Sequence, residues 1–195
     1  MELTGREKMR NWVVQNLLPS KYGHLTASPR RDQEYSAATD SLHVQIEALA
    51  PHARSVFALA CAERLVAADS SSRRKVLREA LDAGWAAVLE GSTERLSILE
   101  SVDGREDTDD DVVAGVAHAL RATGGASEHA TAVSGRATDA AFEQVPYPDD
   151  ASSFRELDDD FRTDVVQREY RWQKAMITQL ANADDLSELI QQLRR

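Results

Sequence analysis

The stretch that most constrains this chain is residues 55–68, a helical pattern apolar on nearly every side that carries an acidic and a basic residue next to each other. Val56, Phe57, Ala58, Leu59, Ala60, Cys61, Ala62, Leu65 and Val66 leave it no solvent face, yet Glu63 and Arg64 sit among them. A helix that is apolar all round belongs in the middle of a domain. A charge there must be paired or hydrogen-bonded, because burying it bare costs roughly several kcal/mol. The pattern predicts Arg64 against a carboxylate and Glu63 against a basic group or a backbone donor. It describes a core, with Trp85 and Trp172 as further core anchors on apolar stripes of their own.

A chain of 195 residues fits one domain, and a domain of this size buries about 70% of the surface its unfolded form exposes. The net charge of −10 opposes general affinity for nucleic acid or anionic membrane, since like charges repel; a basic protein is the better-matched partner. The single cysteine, Cys61, excludes an internal disulfide framework and a structural zinc site of several thiolates. The N-terminus carries Glu2, Arg6, Glu7, Lys8 and Arg10 ahead of a short apolar run and lacks a signal-peptide core. No apolar run reaches the ~18 residues of a membrane span. These features predict a cytoplasmic protein.

Helix signals punctuate the whole length. Thr4 and Glu7 have the spacing of a capping box for a helix ending before Pro19. Residues 20–38 lack apolar periodicity and read as an irregular connection. Leu42, Ile46 and Leu49 give a short amphipathic helix over residues 40–50, separated by Pro51 from the central one. A helix over 72–90 carries the stripe Leu77, Leu81, Trp85 and Val88 with Val76, Ala80, Gly84 and Leu89 beside it, and stops at Gly91. Arg73, Arg74, Lys75 and Arg78 crowd its first turns against the helix dipole, which implies ion pairs with an acidic neighbour. Further helices are expected over 93–102, from Asp111 to Gly124 and Gly125, over 127–145 with a small-residue face, over 153–181 as the longest, and over 185–193. No stretch alternates with period two over strand length. The expected fold is one all-α domain of seven or eight helices around the apolar one.

Chemistry-bearing groups are sparse. His118, His129, Glu128, Asp110 and Asp111 fall close together in sequence, but Asp111 and His118 stand seven residues apart, about 10 Å along a helix, too far for one metal. No HExxH, GxGxxG or P-loop spacing occurs, and Ser134–Gly135 lacks the first glycine of a nucleophile elbow. Cys61 on the apolar helix is an inert thiol. No metal, cofactor or catalytic residue is expected. Two acidic runs differ in kind: residues 100–111 hold seven carboxylates and residues 149–160 hold six, more than capping requires. They read either as solvated surface or as a docking face for a basic protein.

The run Phe57 to Leu65, followed by Val76 to Trp85, resembles the bacterial domain-of-unknown-function 416 family and relatives among the immunity proteins of polymorphic toxin systems. Asp109 to Arg121 and Tyr170 to Gln173 are similar too. The resemblance implies an all-α fold, no established catalysis, and neutralisation of a cognate toxin by binding. Contact is then expected on Glu106, Asp107, Asp109 and Asp110, with Asp158 and Asp159 as the second cluster, in a monomer or weak homo-oligomer. The competing classes are a helical enzyme, such as a metal-dependent hydrolase, and a structural homo-oligomer built on the alanine-rich helix over 127–145.

Overall fold

The computed structural model of the chain describes residues 33–90, 110–146 and 157–194. Among these residues it forms α1 (Gln33–Ala48), α2 (Pro51–Ala68), α3 (Arg74–Glu90), α4 (Asp111–Arg121), a 3₁₀ turn (Ala122–Gly124), α5 (Ser127–Glu143), α6 (Leu157–Phe161), α7 (Asp164–Ala181) and α8 (Leu186–Leu193), and no strand. The fold is all-α, a bundle around α2 as the sequence predicts.

Pro51 occupies the first turn of α2, where its missing N–H would have had no helical partner. From there Val56, Phe57, Ala58, Leu59, Cys61, Ala62 and Val66 are wholly enclosed. The helix contacts α3, α4, α5, α7 and α8. Small residues let these neighbours approach. A Cβ at Gly84 of α3 would come within 2.8 Å of a Leu59 methyl and 2.9 Å of a Leu120 methyl, so glycine sets the α3 distance from α2 and α4. The buried Ser55 hydroxyl donates to the Ala122 carbonyl at 2.8 Å and so satisfies the end of α4. Gly125 closes that end with φ +82°, a conformation glycine adopts without strain, and its N–H reaches the Ala122 carbonyl at 2.7 Å.

A smaller apolar cluster holds Ala141, Val145, Phe161 and Val166. Tyr35 packs edge-on against Phe142 and Phe161, with ring centres 5.2 and 5.8 Å apart, and Phe161 meets Tyr170 at 5.5 Å. This cluster joins α1, α5, α6 and α7.

Several expectations are corrected. Helix α1 begins at Gln33, inside the span read as an irregular connection over 20–38, because its N-terminal amides take their acceptor from a residue far along the chain, described below. The long helix over 153–181 is interrupted: Arg162 and Thr163 separate α6 from α7, with Thr163 extended at ψ 149°. The Thr163 hydroxyl donates to the Asp160 carbonyl at 2.6 Å and the Gln167 amide to the Phe161 carbonyl at 2.8 Å, which satisfies the end of α6 in place of helix continuation. The break shifts the buried register, so Val166 is enclosed while Val165 and Trp172 are half-buried. Val76 and Leu89 lie on the solvent side of α3 rather than beside its buried stripe. Helices expected near 4–18 and 93–102, and the stop at Gly91, fall outside the described residues.

Candidate functional site

The last two turns of α2 present Ala60, Glu63, Arg64 and Ala67 at helical spacing on one side. Together with Trp85 of α3, Trp172 of α7 and Leu193 of α8 they line a cavity of about 260 Å³.

Glu63 is held at both oxygens. Its Oε1 accepts from the Trp85 indole N–H at 3.1 Å and its Oε2 pairs with Arg78. The neighbouring Arg64 donates from Nε at 3.1 Å and Nη2 at 2.7 Å to Glu169 Oε2, and its guanidinium lies 4.3 Å from the centre of the Trp172 ring. Arg64 thus meets a carboxylate and Glu63 a basic group, the pairings that the apolar helix demands. Their setting differs from the expected core. The Arg64 side chain is 40% exposed and that of Glu63 22%, because α3, α7 and α8 stand back from this end of α2 and leave the cavity open. Of the four residues assigned to the core, Trp85 is buried, Glu63 and Trp172 are half-buried, and Arg64 is exposed at the pocket.

Behind the pocket runs a polar network that the sequence reading missed. Glu169 is nearly enclosed, and its Oε1 accepts from Gln173 Nε2 at 3.2 Å. Gln173, fully buried, accepts from the Ser134 hydroxyl at 2.5 Å and reaches the Ser134 carbonyl and the Thr138 hydroxyl at 3.2 and 3.4 Å. Arg64, Glu169, Gln173 and Ser134 therefore connect α2 through α7 to α5 with every buried polar group engaged. The available signal was polar spacing: Glu169 and Gln173, like Ser134 and Thr138, stand one turn apart on otherwise apolar faces. Cys61 lies near this network. Burial pushes its thiol well above its ordinary range, Glu169 adds to the rise and Arg64 opposes it, so the sulfur is protonated at neutral pH and a poor nucleophile.

The acidic residues take other places. Asp110 caps α4, accepting from the Val112 and Val113 amides at 3.2 and 3.1 Å, and pairs with Arg73 of the segment before α3. Asp111 binds Arg136 at 3.0 Å. Asp158 corrects the docking assignment: it is buried, and its two oxygens accept from the Glu34 and Tyr35 amides at 3.2 and 3.0 Å, capping α1. Asp159 is exposed and holds Arg162 at 3.0 Å, and Arg162 also grips Glu34 at 2.6 and 2.9 Å. That guanidinium keeps the Glu34 carboxyl below its usual range. Glu106, Asp107 and Asp109 lie outside the described residues.

His118 of α4 and His129 of α5 meet with their Nδ1 atoms 3.2 Å apart and ring centres at 5.5 Å. Spacing along a single helix could not reveal this contact across two. Among the described residues no three His, Cys, Asp or Glu side chains gather as a metal site, and no helix is long and apolar enough to cross a membrane. No family model, curated protein or solved structure matches the chain.

Proposed function

We propose that this protein is a non-catalytic binding protein of the immunity type, which neutralises a cognate toxin by occupying its surface in the cytoplasm. The observation that carries the reading is the pocket lined by Glu63, Arg64 and Trp172, in which each charge already has an internal counter-charge and the arginine lies over the Trp172 indole. Tryptophan and arginine set in a depression and ringed by satisfied polar groups are the composition in which interfaces concentrate binding energy. The net charge of −10 favours a basic partner. Toxins that act on nucleic acid carry basic surfaces to hold phosphate, and an acidic protein can cover such a surface. Glu106, Asp107, Asp109 and the exposed Asp159 add to the negative charge that would favour such a partner.

The test is reconstitution. Proteins captured on the tagged chain in its source organism are expressed singly in a host lacking it. One of them should arrest growth, and co-expression of this chain should restore it with the two proteins purifying as a complex. Growth arrest that this chain fails to relieve for every captured protein, or turnover of a substrate by the chain itself, would overturn the reading.

A further inference from the structure

We infer that His118 of α4 and His129 of α5 form a site for one divalent late transition-metal ion, such as zinc or nickel, held by both Nδ1 atoms with water in its remaining positions. The site shares no residue with the pocket of Glu63 and Arg64 and stands apart from the toxin reading.

Both rings come from helix ends that the fold holds in place. His118 stands in the last turn of α4 and His129 in the first turn of α5, 11 residues apart. The 3₁₀ turn and Gly125 bring the chain back between them, and the Ser55 hydroxyl fixes that corner through the Ala122 carbonyl at 2.8 Å. The two Nδ1 atoms meet at 3.2 Å, with the rings tilted by 36°. Zinc takes an imidazole nitrogen at about 2.0–2.1 Å, so two such ligands stand about 3.3–3.4 Å apart at the tetrahedral angle and about 2.8–3.0 Å apart at a right angle. The observed separation falls between these limits. Like atoms from two helices are thus already at chelating distance, and a short turn of each ring aims both lone pairs at an ion beside the contact. Without the ion, one Nδ1 carries a proton and donates it to the other. When the ion enters, that proton passes through water to Nε2 of the same ring, so both imidazoles stay neutral. Ligand type narrows the choice of ion, since imidazole suits zinc, nickel and copper whereas magnesium and calcium take oxygen. Both residues are half-buried, which leaves water a way in, and the net charge of −10 draws cations to the protein. Once bound, the ion ties the end of α4 to the start of α5.

The probe is zinc chloride, titrated by calorimetry into the full-length chain freed of any histidine tag, with magnesium chloride as the control. One zinc ion per chain is expected, together with a higher melting temperature by circular dichroism, because the ion binds the folded state alone. His118→Ala and His129→Ala should each weaken zinc binding at least tenfold, and the double variant should lose no more than either single one, since two ligands of one ion act as a unit. Replacing His43 and His52 together should leave binding unchanged. A readout that needs no variant is the ring nitrogen spectrum of the parent protein, in which the Nδ1 signals of two histidines should shift together and saturate at one equivalent. No saturable binding, an equal response to magnesium, full affinity in a folded His118→Ala or His129→Ala, or shifts confined to a single ring would each overturn the site.

Discussion

Arg64 shows how one side chain can satisfy two demands of different kinds. Its charge is held by Glu169 and its flat face by Trp172, so losing it exposes a nearly buried carboxylate and an indole together. Breaking a fully enclosed pair costs about 3–5 kcal/mol, but water reaches the Arg64 side. Arg64→Ala should accordingly lower unfolding free energy by about 1–3 kcal/mol. Gln173→Ala should cost more, about 2–4 kcal/mol, because it strips partners from Ser134 and Glu169 and leaves a cavity. Urea denaturation of the two variants checks the order, and a smaller loss for Gln173→Ala would show that the network is dispensable. The need for partners at Glu63 and Arg64 was legible from their apolar neighbours. Their exposure was not, since periodicity reports what a helix offers and not how far its neighbours extend.

At the level of elements, boundaries set by local chemistry were legible and those set at a distance were not. Pro51 opens α2, Asp110 caps α4 and Asp185 caps α8 at the Ser187 amide, 2.8 Å away. Each is a signal within a few residues. The start of α1 is different, because the carboxylate that accepts from its Glu34 and Tyr35 amides belongs to Asp158, far along the chain. The interruption at Arg162 and Thr163 is equally hidden, since a stripe of Phe161, Val165 and Trp172 continues through it on paper. Asp158→Ala should destabilise the protein by about 1–2 kcal/mol, as loss of an N-cap does, and should raise hydrogen exchange in the first turn of α1 above that in α2. Unchanged protection of the Tyr35 amide would refute the cap.

Over the molecule as a whole, the second apolar cluster gives alkaline pH a specific target. Burial beside Phe142 and Phe161, reinforced by Asp139, pushes the Tyr35 hydroxyl up to about 12, from an unfolded value near 10. Folding therefore favours the protonated ring. Its contribution is complete below about pH 10 and is lost as pH rises through 12. Ultraviolet titration should show a late tyrosinate step coincident with loss of helical ellipticity, and Tyr35→Phe should move that unfolding to higher pH. A late step that persists in Tyr35→Phe would assign it elsewhere. The same region ties together distant parts of the chain, with Asp158 lying 124 and 123 residues beyond the amides it caps. During synthesis the segment that becomes α1 emerges from the ribosome long before its acceptor is made. A nascent chain stalled before residue 158 would carry every residue of that helix and still lack the carboxylate that takes its Glu34 and Tyr35 amides.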